Sequence, residues 1–566
     1  MDRTNTGQTE SRAGGEILVD GLLAQGADTI FGVPGESFLA VLDAIHDRSD
    51  RIRFINCRQE GGAAFMADAY AKMTGKPGLC LVTRGPGACN ASIGVHTAWQ
   101  DSTPMVVMIG QIPHDHKERE AFQEVEYKYM FEPFAKWICE VDSPERLPEH
   151  LSHAFHLAQA GRPGPVVLVL PEDVLSGHAV TGDLPAAIVA RPAPREDELD
   201  RICAALDEAE RPLCILGGPG WTKEAKQSFE SFAEDYGLPV VSSLRCQDYF
   251  DNAHPCYVGD FGISANADVV ARVRDADLLL VIGARLGDMT TQGYTAPKPP
   301  RANQFLIHVH PDANEFGRVY YADLPVVANT SAFAQCLSGR KAAPTQDRLD
   351  WIRSGRESYE ALLTPPKQPG SLDMGLVIDA LRKRLPDDAI ITNGAGNYAT
   401  WIHKFMQFRR FRSQLAPTSG AMGYGIPAAA AAKIAEPARK VVSFAGDGCF
   451  QMNGQELGVM MQYGLDPLII VVNNSIYGTI RMHQEREYPE HVYGTNLTNP
   501  DFTALAAAYG FHSEVLARSE DIDAVLDRAM AAKGAALIEC RIDPEGISPR
   551  MTISSLRKMA LERQGR

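Results

Sequence analysis

The chain has 566 residues, 45% of them hydrophobic and 22% charged, an ordinary globular composition and enough for several domains at roughly 100–200 residues each. Disordered, collagen-like and small disulfide-scaffold classes are excluded. Lys and Arg number 55 against 71 Asp and Glu, a formal net charge of −16, so nucleic acid is not an expected partner.

The 11 cysteines are scattered without a CxxC pair, which reads as reduced thiols in an intracellular protein. Residues 1–14 are polar and lack the apolar core of a signal peptide. No run approaches about 18 uninterrupted apolar residues. A cytoplasmic protein with no membrane partner is expected.

In chain order, Gly15–Gln25 reads as a helix, Thr29–Val33 as a strand and Phe38–His46 as a helix. Phe54–Cys57 reads as a strand, Glu60–Met73 as a helix, and Leu79–Thr83, Met105–Ile109 and Val166–Leu170 as strands. The Pro- and Ala-rich stretch Leu184–Pro194 reads as a linker. A second set of strands runs through Leu213–Leu216, Pro239–Ser242, Leu278–Ile282 and Phe305–His310. Breaks at Lys341–Asp347 and Pro365–Gly370 precede a third set, Ile390–Thr392, Val441–Ala445 and Leu468–Val472. Short β-branched runs alternating with helical patterns predict three α/β domains with doubly wound parallel sheets. No repeat is visible at the level of residue identity.

The most informative stretch is 441–474. One hydrophobic strand ends in Gly446-Asp447-Gly448, and a second ends in Asn473-Asn474. In a parallel sheet both ends emerge at the same edge, where ligands bind. The Asp447 carboxylate and the Asn474 amide oxygen are hard ligands that suit Mg²⁺, and the glycines let the backbone approach a diphosphate. Each half alone is an ordinary turn; the pair, with the right strands between, is far more specific.

This spacing resembles the diphosphate and metal motif of thiamine diphosphate (ThDP) enzymes, in particular the acetolactate synthase group. The resemblance implies that Asp447, Asn474 and the carbonyl of Ile476 ligate Mg²⁺, and that Gly448 and Cys449 offer backbone N–H groups to phosphate. Cys449 itself reads as a small packing residue. It further implies that Glu60, in the segment Arg58–Tyr70, bonds the cofactor's aminopyrimidine and starts its proton relay. Taken alone, Glu60 is a helix-start glutamate favoured by the helix dipole.

Other segments match the same group in order. Gly32-Val33-Pro34-Gly35 resembles its glycine turn at the active site, and Thr83–Asn90 its GPG-x-x-N loop, so that Gly35 and Asn90 are cofactor contacts by resemblance. Ala121-Phe122-Gln123-Glu124 matches the segment whose Phe and Gln lie near the reacting carbonyl. Gly161–Pro165 matches its GRPGP turn. Gly394–Tyr398 stands in the place of a diphosphate loop, with Gly396, Asn397 and Tyr398 as contacts, the last two being variants of the usual Gln-His. Thr418–Pro427 resembles the segment under the cofactor's bend. There Met422 would wedge between the two rings, and its N–H and the Gly420 carbonyl would bind the pyrimidine edge.

The implied organisation is a flexible N-terminus at 1–13, a pyrimidine-binding domain at 14–182, a central domain at 195–340, a diphosphate-binding domain at 371–548 and a tail at 549–566. The implied assembly is a homo-oligomer, dimer or tetramer. The implied function is a ThDP- and Mg²⁺-dependent 2-oxo acid decarboxylase and carboligase, which forms an enamine and transfers it to a carbonyl acceptor or protonates it. The alternatives are an FAD-dependent oxidase of the pyruvate oxidase type and a non-catalytic ThDP-binding paralogue. FAD stays open as a further cofactor, because Gly217–Gly220 after a strand suits either a nucleotide phosphate or an ordinary turn.

Three departures from the synthase pattern mark the second substrate. Met289 stands where the synthases carry an arginine for the acceptor, His483 where they carry a tryptophan, and Glu172 where LPKD is usual. These predict a synthase-like donor site with a different acceptor. His114 and His116 could be a metal pair but read better as loop histidines, one of which could shuttle a proton. Arg481 is a candidate for a substrate carboxylate, with a solvated helix charge as the other reading.

Overall fold

The computed structural model describes residues 10–565. Its architecture is three six-stranded parallel sheets flanked by helices. Numbering only the strands of these sheets, the first contains β1 (Thr29–Gly32), β2 (Arg53–Asn56), β3 (Gly78–Val82), β4 (Met105–Gln111), β5 (Trp137–Glu140) and β6 (Pro165–Pro171), in the order β2-β1-β3-β4-β6-β5. The second contains β7 (Pro212–Leu216), β8 (Val240–Ser243), β9 (Tyr257–Phe261), β10 (Leu278–Ile282), β11 (Phe305–His310) and β12 (Leu324–Val327), in the order β9-β8-β7-β10-β11-β12. The third contains β13 (Ile390–Asn393), β14 (Gln414–Leu415), β15 (Val441–Gly446), β16 (Leu468–Asn473), β17 (His512–Leu516) and β18 (Ala536–Arg541), in the order β14-β13-β15-β16-β18-β17.

Central strands such as β4 and β10 are buried along their whole length. A strand covered by helices on both faces needs an unbroken apolar run rather than an alternating one, and Met105–Gln111 and Leu278–Ile282 supply it. The expected strands all form, with ends displaced by at most two residues and Leu278–Ile282 and Phe305–His310 unchanged. The strands that sequence patterning left out are β5, β9, β12, β14, β17 and β18, and all but β18 lie at sheet edges. β5 is half-exposed throughout and β12 alternates buried with exposed residues, so their apolar signal is diluted.

The chain divides into two compact units. One comprises residues up to 190 together with 430–437 and 453–465; the other comprises 191–429, 438–452 and 466 onward. The first unit holds the first sheet, and the second holds the second and third. Of the N-terminus expected to be flexible, residues 1–9 lie outside the described residues; Arg12–Ala13 pairs antiparallel with His178–Ala179. No helix or strand occurs from 180 to 195. The stretch expected as a C-terminal tail contains the helix Ile553–Arg563, capped by Thr552 and Ser555. Its Arg557 donates to Glu485 at 2.8 Å and 2.6 Å. Among the described residues no helix is long and apolar enough to cross a membrane.

Candidate active site

In the third sheet the chain turns back between β13 and β15, and ligands of open α/β sheets bind at such a reversal, beyond the carboxyl ends of the strands. The turns there are Gly394–Tyr398 after β13 and Gly446–Cys449 at the end of β15, with Asn474–Tyr477 following β16 alongside. Asp447 opens the helix Asp447–Asn453 and is 3% exposed. Its carboxylate accepts from Asn499 Nδ2 at 2.8 Å, and the same amide nitrogen lies 2.9 Å from Asn473 Oδ1. Asn499 thus ties Asp447 to the turn that begins at Asn473, whose side-chain oxygen also accepts from Ser475 N at 3.0 Å. Burial raises the Asp447 carboxyl above its ordinary value, and hydrogen bonding, that of Asn499 foremost, only partly opposes the shift. A buried carboxylate held by neutral donors is a site that a cation would stabilise.

The surroundings fit a diphosphate and its metal. A Cβ on Gly448 would stand 2.5 Å from the Tyr477 ring, so this turn approaches its neighbour as only glycine can. Gly420, at φ +71 with open space where a Cβ would be, holds a left-handed turn in the loop carrying Met422. Met422 packs at the margin of the third core. Asp447, the amide of Asn474 and the carbonyl of Ile476 make an oxygen set suited to Mg²⁺. Among the described residues there is no group of three or more His, Cys, Asp or Glu arranged to hold a metal.

Tyr398 and Cys449 tie the turns together. The Tyr398 hydroxyl accepts from Gly394 N at 3.0 Å and lies 3.3 Å from Cys449 Sγ, which itself accepts from Gly423 N at 3.1 Å. Burial pushes the Cys449 thiol up, so it is a packing and hydrogen-bonding group rather than a nucleophile. Tyr398 is buried against Gly446, so it shapes the turn from beneath. Asn397 is bonded to Thr479: its N–H donates to Oγ1 at 3.1 Å, and its Oδ1 accepts from that hydroxyl at 3.0 Å.

In the first unit, Glu60 is the first residue of the helix Glu60–Thr74, capped by Gln59, whose side chain accepts from Gly62 N at 3.0 Å. Glu60 Oε2 accepts from Asn90 Nδ2 at 2.9 Å, so two residues singled out separately in the sequence prove to be partners. Gly35 presses on Thr83, where a Cβ would stand 2.5 Å from Cβ of that residue. Phe122 is 72% exposed, and its carbonyl accepts from Arg84 Nε at 3.2 Å. Gln123 takes a left-handed backbone conformation, φ +65, a strained choice for a residue with a side chain. Glu172 pairs with Arg84, which also reaches Glu36 at 2.9 Å. This departure from the synthase pattern thus has an internal partner.

The remaining substrate candidates are largely engaged. His114 Nδ1 lies 2.8 Å from Asp173 Oδ2. Arg481 pairs with the buried Glu485 at 3.2 Å and reaches Thr495 and Asn496, both at 3.4 Å. His483 Nδ1 is 2.6 Å from Arg486 Nη2 on an exposed helix face. Met289 is 44% exposed. In the second sheet, the glycines of Gly217–Gly220 serve packing: a Cβ on Gly218 would overlap the Gly283 carbonyl, and Thr330 Oγ1 and Ser331 Oγ donate to the carbonyls of Pro219 and Gly220 at 2.7 Å and 2.5 Å. Sequence reasoning missed Asn499 and Glu456. Neither belongs to a spacing pattern that one sequence displays, and each gains meaning only from the carboxylate or amides it meets.

Three family models match the chain: the thiamine pyrophosphate enzyme N-terminal TPP binding domain over residues 12–130, the central domain over 199–337 and the C-terminal TPP binding domain over 394–540. The chain belongs to the thiamine pyrophosphate enzyme family, and it is an enzyme of the kind that forms carbon–carbon bonds. Within that family it is similar to acetolactate synthases. It is 34% identical over 555 residues to the acetolactate synthase large subunit of Parasynechococcus marenigrum, covering 95% of this chain and 88% of that one. It is 33% identical over 552 residues to the acetolactate synthase isozyme 1 large subunit of Escherichia coli, covering 96% and 97%. The probable acetolactate synthase large subunit of Methanocaldococcus jannaschii is 31% identical over 561 residues, covering 95% and 93%.

Proposed function

We propose that this enzyme uses ThDP and Mg²⁺ to decarboxylate a 2-oxo acid and join the remaining fragment to a carbonyl acceptor. The observation that carries this reading is the buried Asp447 carboxylate, held by neutral donors beside the Asn474 turn at the carboxyl edge of the third sheet. Bound ThDP would supply the carbon nucleophile and the electron sink. Asp447, Asn474 and the Ile476 carbonyl would hold the metal, and the N–H groups of Gly448 and Cys449 would face the diphosphate. Glu60, oriented by Asn90, would exchange a proton at its carboxylate with the pyrimidine ring. The active unit would be a homo-oligomer, at least a dimer, in which Glu60 of one chain serves the metal-binding turns of another. Mixing Glu60→Gln chains with Asp447→Ala chains should then restore turnover that neither shows alone.

The acceptor would differ from that of the synthases. Met289 offers an exposed thioether where a cation would bind an oxo acid carboxylate, and Arg481 is committed to Glu485. Met289→Arg should improve carboligation onto a 2-oxo acid acceptor. The deciding experiment is CO₂ release from a panel of 2-oxo acids with Mg²⁺ and ThDP, with and without aldehyde or oxo acid acceptors. Release from one donor, diverted into a new C–C bond by one acceptor, supports the reading. No release from any donor, with cofactor bound, overturns it.

A further inference from the structure

Glu456 lies in the segment 453–465, which belongs to the same compact unit as the helix beginning at Glu60. It is 0% exposed. Both carboxylate oxygens lie 3.2 Å from the backbone nitrogen of Arg58, and the next amide, that of Gln59, also favours the charged form. These two amides form the turn that delivers Glu60 to the start of its helix. The Arg58 side chain does not pair with Glu456; its guanidinium donates to the carbonyls of Asn56 and Gly458 and to Gln462 Oε1. The next turn is cleared to admit the carboxylate: a Cβ on Gly62 would lie 2.6 Å from Glu456 Oε1.

A carboxylate removed from water is costly unless donors reach it. Its placement against the turn carrying the proposed proton-transfer residue calls for a reason beyond helix capping, because Gln59 already caps this helix. We propose that Glu456 is a positioning residue for Glu60, clamping the Arg58–Gln59 amides so that the Glu60 carboxylate is held at one place and orientation. This inference rests on the role given to Glu60 under the proposed function. Burial pushes the Glu456 carboxyl up to about 7, opposed by the two amides and the Arg58 charge and reinforced by Glu60. The other titratable group beside it is the buried Cys57, whose own thiol is raised chiefly by burial. The clamp is therefore strongest above neutral pH, where Glu456 is ionised and both oxygens accept.

The test is Glu456→Gln, which keeps shape and burial but leaves one acceptor oxygen. ThDP affinity should stay near that of the parent, and so should the thermal midpoint at pH 5, where the parent carboxyl is protonated. Turnover should fall about tenfold with KM unchanged, and the acid limb of the kcat profile near pH 7 should flatten. In the cofactor-free protein, amide exchange at 58–62 should speed up. Gly62→Ala, which displaces the carboxylate but keeps its charge, should reproduce the loss of turnover while retaining the acid limb, and it decides the matter if Glu456→Gln does not fold. Parent-like kcat and pH profile in the variant that folds would overturn the clamp, as would a loss of turnover matched by lost cofactor binding. Glu60→Gln is the control. If it keeps full turnover, the proposed function fails. If it is inactive while Glu456→Gln is parent-like, only the clamp fails.

Discussion

The first and third sheets have the same strand order and the same point of reversal, yet they use it differently. In the first sheet the crevice between β1 and β3 is closed by protein: Ser37 Oγ meets Thr83 Oγ1 at 2.8 Å, and Gly35 presses on Thr83. Its candidate acid, Glu60, comes instead from the turn after the edge strand β2, on a long side chain held by the amide of Asn90. In the third sheet the turns at the reversal are glycine-rich, and the acid is the shorter Asp447, buried and held by the amide of Asn499. Both acids open a helix that follows a strand. Topology thus sets where an acid can be presented; under the proposed function, side-chain length and burial would decide whether it moves a proton or holds a cation.

The comparison breaks most sharply if the two acids prove interchangeable in effect. Glu60→Gln should cost about 10²–10⁴ in kcat while leaving ThDP affinity nearly intact, as read by CO₂ release beside a cofactor titration. Asp447→Asn should do the reverse, weakening Mg²⁺-dependent ThDP retention by at least about tenfold to a hundredfold, and chelation of Mg²⁺ in the parent should mimic it. If Asp447→Asn retained cofactor but lost turnover, the division of labour would be wrong.

Smaller effects sharpen the same contrast. Gly448→Ala forces a methyl against the Tyr477 ring and should cost about 1–3 kcal/mol, read as a lower thermal midpoint and weaker cofactor binding. Gly494→Ala is a useful control: φ there is +70 with nothing near a Cβ, so its cost is backbone strain alone. The raised Glu456 carboxyl predicts a pH dependence of stability. Its folded value, about 7, exceeds its ordinary 4.5, so between these values the unfolded chain binds fewer protons and stability falls as pH rises. Urea unfolding of the cofactor-free protein at pH 5 and pH 8 should show this decline shrinking by about 2 kcal/mol in Glu456→Gln. Cys449→Ser should cost about 1 kcal/mol or less, because a hydroxyl can still accept from Gly423 N and meet Tyr398.

Much of this was legible in one dimension. Asp447 and Asn474 stand at the ends of buried parallel strands, and such strands announce themselves as continuous apolar runs. The edge strands β5 and β12 were not legible, because partial exposure mixes polar residues into them. The pairing of Glu60 with Asn90 was legible only as two separate motifs. Arg481 looked available in sequence and is instead locked by Glu485, which sits four residues on along its helix and also binds Arg557 from the C-terminal helix.

By itself the sequence determined the fold class, the strand-end turns and the acids they carry, because apolar runs and glycine turns are local properties of the chain. Only the tertiary structure decided that the first and third sheets share one topology without shared residues, that Thr83 closes one crevice, and that Glu456 stands behind the turn leading to Glu60. The reason is physical. Burial and hydrogen-bond partnership depend on residues far apart along the chain, and Arg58 and Glu456, separated by 398 positions, carry no local signal of the contact that folding creates.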